Sequence, residues 1–198
     1  LKPDENMKNG FYRVRSLYFN TLGDDDLMDS VYGHMEKSKL RIRVYPPQFG
    51  KITLELKEKS GYDGAKTQVD ITRSESYELM KSRYNFLLEN GSESALKIYK
   101  KLSGSAYVPC SVVQYDRAAY YMNAGDTRIT FDYNMGFCRS SSAFFKNNML
   151  LCPAPQKGLG VLEVKYNSFL LGAVKDILRD IDNLTEASSK YVESRLLL

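Results

Sequence analysis

The segment Lys39-Leu40-Arg41-Ile42-Arg43-Val44-Tyr45 alternates strictly, with Lys39, Arg41, Arg43 and Tyr45 on one face and Leu40, Ile42 and Val44 on the other. A period of two is the period of a β-strand, whose successive side chains point to opposite faces. The next run has the same form: Lys51, Thr53, Glu55, Lys57 and Lys59 alternate with Ile52, Leu54 and Leu56. Pro46-Pro47 and Gly50 lie between them and punctuate a turn, so the two runs predict an antiparallel hairpin.

The reading extends outward in both directions. Lys66 to Arg73 alternates Lys66, Gln68 and Asp70 with Thr67, Val69 and Ile71. Asp126 to Tyr133 alternates Asp126, Arg128, Thr130 and Asp132 with Thr127, Ile129, Phe131 and Tyr133. Val161 to Tyr166 sets Glu163 and Lys165 against Leu162, Val164 and Tyr166. Ser111 to Tyr121 places Tyr115 and Arg117 on one face, and Tyr12 to Asn20, rich in Tyr, Val and Phe, makes a further strand.

Helical spacing is rarer. Tyr77, Met80, Tyr84 and Leu87 predict one helix, with Ser74 as its N-cap and Glu75 in its first turn. A second spans Glu93 to Leu102. A third carries the apolar stripe Leu170, Val174, Ile177, Ile181 and Leu184, read as core packing. A fourth starts near Ser188-Ser189-Lys190. Cys138 to Gly158, with its serines, paired asparagines and Pro153-Ala154-Pro155, reads as a long loop.

These elements make an α+β chain, and 198 residues suit one domain, residues 1–198. Its 43% apolar content is enough for a core, and its 26% charged content argues against disorder. No apolar run approaches the ~20 residues that a membrane-spanning helix needs. The three cysteines, Cys110, Cys138 and Cys152, are widely spaced and odd in number. That pattern favours neither a disulfide framework nor a zinc site, and reads as reduced thiols of a cytoplasmic protein. His34, the only histidine, reads as a surface residue. The net charge of +4 names no partner; the placement of the charges says more.

Alternation alone does not say which face meets water. Charged side out over an apolar core satisfies it. So does an antiparallel barrel with its Arg and Lys inside and its apolar wall covered by helices. Cations concentrated on the same strands, each cluster holding a carboxylate (Glu55, Asp132, Glu163), favour the second arrangement. A lumen with so many cations needs a polyanion, because like charges brought together in low dielectric repel strongly. Carboxylates on the basic faces argue against a nucleic-acid partner.

Several of these runs, taken in order, resemble a known family. They are Ser16-Leu17-Tyr18-Phe19-Asn20, Lys39 to Tyr45, Leu54-Glu55-Leu56-Lys57, Tyr115-Asp116-Arg117, Arg128-Ile129-Thr130-Phe131-Asp132, Val161 to Tyr166 and Ser189-Lys190-Tyr191. Together they look like the VTC domain of the vacuolar transporter chaperone complex, one of the triphosphate tunnel metalloenzymes. The resemblance covers almost the whole chain. It implies an antiparallel tunnel of strands with flanking helices. It also implies transfer of the γ-phosphate of ATP to a growing polyphosphate chain with a divalent metal, Mn2+ or Mg2+. By that resemblance Arg41, Arg43, Lys57, Arg117, Arg128 and Lys190 act on the phosphates. Lys39, Lys59, Lys66, Tyr115 and Ser189 complete the phosphate site, and Glu163 holds the metal. The expected partners are ATP or another triphosphate and polyphosphate; any membrane or other partner domain lies outside these residues.

The residues also depart from the family pattern. The family opens with a charged, tunnel-facing strand before the equivalent of Leu1, so the expectation is a tunnel lacking its first strand and open along one side. The family's usual Asp after Tyr-Phe is Asn20, and an expected Arg is Gln68. Two alternatives stand beside the polymerase. One is a triphosphatase in the same tunnel, with Glu55 or Asp132 as general base. The other is a polyphosphate or inositol-phosphate binding module without turnover.

Overall fold

The computed structural model describes residues 1–155, 160–167, 169–180 and 188–198. In chain order the strands are β1 (Lys2–Pro3), β2 (Tyr12–Thr21), β3 (Glu36–Val44), β4 (Ile52–Ser60), β5 (Asp63–Asp70), β6 (Tyr107–Met122), β7 (Thr127–Cys138), β8 (Cys152–Pro153) and β9 (Val161–Lys165). The helices are α1 (Asp25–Val31), α2 (Arg73–Met80), α3 (Asn85–Asn90), α4 (Glu93–Ser103), α5 (Gly172–Asp180) and α6 (Lys190–Leu196). The expected α+β class and antiparallel sheet are both present.

The sheet runs β5-β4-β3-β2-β6-β7, and every pair in it is antiparallel. Both β8 and β9 pair with β7, and β1 pairs with β6. The predicted hairpin is β3–β4, in the register Arg41↔Glu55 and Arg43↔Thr53. Residues of β4 and β5 share one cavity with Arg117 of β6 and Arg128 of β7, so the sheet curls through most of a barrel. Among the described residues no pairing joins β5 to β9, and the barrel stays open along that side.

Which face is covered follows from the side chains. Leu40, Ile42 and Val44, with Leu54 and Leu56, are fully or almost fully buried and pack against Leu79 of α2, Leu87 of α3 and Ile98 and Leu102 of α4. Each such burial contributes roughly 1.5–3 kcal/mol. The alternating cations therefore face inward. α6 takes a different place: it packs on the inner side, with Tyr191 in a second cluster with Val14, Tyr18, Val113, Tyr115 and Phe137.

The helix predicted over Tyr77 to Leu87 is broken. α2 ends at Met80, Ser82 adopts positive φ (57°), and α3 follows separately. Its N-cap is Thr72, not Ser74. The Thr72 hydroxyl accepts from Glu75 N–H at 3.1 Å, and the Glu75 carboxylate accepts from Thr72 N–H at 2.6 Å, which closes a capping box. The stretch expected as a plain loop after Cys138 contributes Phe144 and Phe145 to the main core. Buried Arg15 holds it there by donating to the carbonyls of Phe144 (2.5 Å) and Lys146 (2.7 Å). Of the Leu170-to-Leu184 stripe, Val174 is buried but Ile177 is 60% exposed, so core packing does not describe it; Ile181 and Leu184 lie outside the described residues. His34 is on the surface, beside Asp29 at 2.9 Å.

Candidate phosphate-binding site

The inner face carries two buried carboxylates, each surrounded by cations. Glu55 on β4 binds Arg41 at 2.7 Å, Arg43 at 3.4 Å and Lys66 at 2.9 Å, joining three strands. Burial works against its ionisation, but Arg41, Arg43 and Lys66 outweigh it and hold the carboxyl down at about 2. Asp132 on β7 accepts both forks of Arg117, at 2.6 and 2.8 Å, and the Lys190 ammonium at 2.9 Å. Burial opposes that charge too, and Arg117 and Lys190 keep the carboxyl below its ordinary range.

Cationic hydrogen-bonding capacity is left over. A cavity of about 200 Å³ opens among Arg43, Glu55, Lys66, Gln68, Arg117 and Arg128. Arg43 Nε and Arg128 Nε are buried without a hydrogen-bond partner, as is Thr130 Oγ1. A buried donor without a partner costs roughly 1–3 kcal/mol, so an acceptor is expected there. Arg128 otherwise touches Asp4 at 3.5 Å, the Tyr12 hydroxyl at 3.3 Å and the face of Tyr121.

The remaining expected residues divide by position. Lys39 is half-buried and donates to Ser189 Oγ at 2.8 Å, which brings β3 to the N-cap of α6. Burial, followed by Lys57, Lys37 and Arg41, pushes the Lys39 ammonium down to about 8. Lys57 is exposed on the same face, across from Lys39 on β3 and Lys66 on β5. Tyr115 is 3% exposed; Arg117 and Lys190 lie over its ring, 5.3 and 5.2 Å from the centroid, and burial pushes its hydroxyl up to about 12. Lys59 stands apart from the others. It is exposed at the end of β4 and lines a separate cavity with Glu36, Glu58 and Asp63.

Glu163 lies on β9 opposite Thr130, with its side chain 44% exposed and paired to Lys165 at 3.1 Å. Burial opposes its charge, but Lys165, Arg117 and Lys190 keep its carboxyl low. Among the described residues no three His, Cys, Asp or Glu side chains converge as a metal cage. Mg2+ commonly binds through one or two carboxylates plus substrate phosphates, and Glu163 fits the role of such a single ligand. Glu55 and Asp132 do not, because their oxygens are taken by cations.

Some inner-face residues were missed by the sequence reading. The Tyr18 hydroxyl accepts from Arg41 at 3.0 Å, and its ring stacks on Tyr191 at 4.9 Å. Tyr12, Thr53 and Lys51 line the cavity. Alternation along Tyr12 to Asn20 carried the signal, since Tyr12, Val14 and Tyr18 share a parity. Arg195 binds Asp24 bidentately, at 2.8 and 2.7 Å, and no local pattern announces that pair. Asn20 is structural: its side-chain carbonyl accepts from the N–H groups of Thr21 and Asp26, and its amide donates to Asp24. Gln68 sits across from Glu55 and lines the cavity.

The VTC domain model matches residues 1–198. None of the curated proteins matches the chain. Among solved structures, a candidate adenylate cyclase of Bacillus halodurans is similar, with TM-score 0.54 and 15% identity, over 92% of this chain and 82% of that one. A candidate adenylyl cyclase of Hippeastrum, described as having a dominant triphosphatase activity, is similar with TM-score 0.45 and 20% identity, over 68% of each chain.

Proposed function

The chain belongs to the VTC domain family, and from that premise we propose that its inner groove binds a triphosphate or polyphosphate and transfers the ATP γ-phosphate to a growing polyphosphate chain. The observation that carries the reading is the pair of buried, unpartnered guanidinium donors, Arg43 Nε and Arg128 Nε, at a cavity lined by further cations. Guanidinium forks suit phosphate oxygens, and their geometry is already set by Glu55 on the Arg43 side. Phosphoryl transfer asks for positioning and charge stabilisation more than for covalent chemistry.

In this reading Arg41, Arg43, Lys66, Arg117 and Arg128 orient the phosphates, while Lys39, Ser189 and Lys190 close the groove from the α6 side. Lys57 adds charge at the open rim. A divalent ion, Mn2+ or Mg2+, held by Glu163 and by phosphate oxygens, would neutralise charge at the reacting group. The terminal phosphate of the acceptor is already ionised, so no protein base is required.

Incubation with ATP and manganese tests this reading: long polyphosphate is the expected product. Free phosphate alone would replace it with a triphosphatase. A hydrolase needs a base for water, and Glu55 at about 2 and Asp132 below its ordinary range are poor proton acceptors near neutrality. One observation favours a second reading, a binding module without turnover: Glu163, the carboxylate assigned to the metal, is already paired to Lys165 at 3.1 Å. In that case Glu163→Gln leaves tripolyphosphate affinity unchanged and no nucleotide is consumed.

A further inference from the structure

Asp132 is the most enclosed charged group of the inner face, with 0% of the residue exposed. It is the only acidic contact recorded for either Arg117 or Lys190 among the described ion pairs. Arg117 comes from β6 and Lys190 from the first turn of α6, so one carboxylate joins the sheet to a helix. Both cations also lie over Tyr115, which leaves the two held between one ring and one carboxylate. Without the carboxylate, two neighbouring cations would repel in a partly desolvated site.

We propose that Asp132 is a positioning residue: it sets the spacing of Arg117 and Lys190 and docks α6 against the groove, so that the polyanion meets cations already in place. Tyr115 serves the same arrangement through its ring, as a platform for cations. The affinity part of the proposal rests on the triphosphate-binding reading above, while the docking part does not.

Simple electrostatics and positioning predict opposite signs. Asp132→Asn removes a negative charge from a cationic groove, so through-space attraction alone would tighten tripolyphosphate binding. Positioning predicts weakening by about tenfold or more, because loose cations must be ordered by the ligand itself. Asp132→Glu should recover most of the affinity, and Tyr115→Leu, which removes the ring, should weaken binding.

The experiment is calorimetric titration of tripolyphosphate into wild type and these variants, with amide hydrogen exchange across residues 190–196. The expected result is weaker binding and faster exchange in α6 for Asp132→Asn. Unchanged or tighter binding with unchanged α6 exchange would overturn the proposal, and wild-type binding by Tyr115→Leu would overturn the ring platform. If wild type binds no tripolyphosphate, the triphosphate-binding reading fails, and α6 exchange still decides the docking role. Should Asp132→Asn fail to fold, Lys190→Gln gives the same decision: its α6 amides exchange faster if the Asp132 contact docks the helix, and at the wild-type rate if it does not.

Discussion

Lys39 Nζ donates a 2.8 Å hydrogen bond to Ser189 Oγ, and the Ser189 hydroxyl in turn accepts from Val192 N–H at 3.3 Å. A cation of the central hairpin is thereby tied to the capping residue of α6, 150 positions away in the chain. Lys39 has no carboxylate partner among the described ion pairs, and its neighbours Lys57, Lys37 and Arg41 are cations.

That setting predicts a pH-dependent affinity for a polyanion. Below about 8 Lys39 is charged, and between about 8 and its ordinary 10.5 the folded chain favours the neutral amine. The unfolded chain holds more protons in that window, so this group adds stability as pH rises through it. A polyanion prefers the ammonium, so tripolyphosphate affinity should fall as pH rises through about 8. At that pH binding should also take up protons. Calorimetry in two buffers of different ionisation heat measures the uptake, and Lys39→Met should reduce both effects.

Glu55 makes a stability prediction of the same sign in the acid range. Its carboxyl sits near 2 against an ordinary 4.5, so its stabilising charge is fully present above 4.5 and is lost as pH falls toward 2. Glu55→Gln leaves Arg41, Arg43 and Lys66 without their shared partner. At pH 7 it should lower stability by about 3 kcal/mol, the cost of breaking a buried ion pair. The gap to wild type should narrow between pH 4.5 and 2. Urea unfolding at pH 7 and at pH 3 checks the sign.

The unpartnered guanidinium nitrogens predict that charge alone will not serve. Arg43→Lys and Arg128→Lys keep the charge but lose the fork. Each should weaken tripolyphosphate binding by about tenfold or more, in line with roughly 1.5–3 kcal/mol for a hydrogen bond to a charged group. Lys59→Ala should leave the affinity unchanged, since Lys59 lines the other cavity. Titration of all three variants in one buffer makes the comparison.

The position of the α2 cap gives a test independent of ligand. Thr72→Ala should cost about 1 kcal/mol, because Glu75 N–H loses its acceptor. Ser74→Ala should fall within about 0.5 kcal/mol of wild type, because Ser74 does not cap the helix. Thermal denaturation of the two variants distinguishes them.

Much of this molecule was legible in one dimension, for a physical reason: strand periodicity is local. The alternation of Lys39 to Tyr45 and Lys51 to Lys59 specified strands, a hairpin and a shared face, because side-chain direction depends only on position parity. That same parity placed Arg41, Arg43, Glu55, Arg117 and Asp132 on faces that could converge. Parity is silent about which face is inside. Folding answered it when α2, α3 and α4 covered the Leu and Ile face.

Contacts between distant elements were likewise beyond local pattern. Nothing near Asp132 in the chain indicates that it gathers Arg117 of β6 and Lys190 of α6, nor does anything near Asp24 point to Arg195. Lys59 has the same parity as Glu55 and Lys57, yet the strand carries it past the groove, because position along a strand decides reach as much as parity does. The sequence by itself therefore determined the longer strands, the pattern of charge along them and the family; only the tertiary structure decided that the cations face inward, which carboxylates hold them, and which guanidinium donors remain for a ligand.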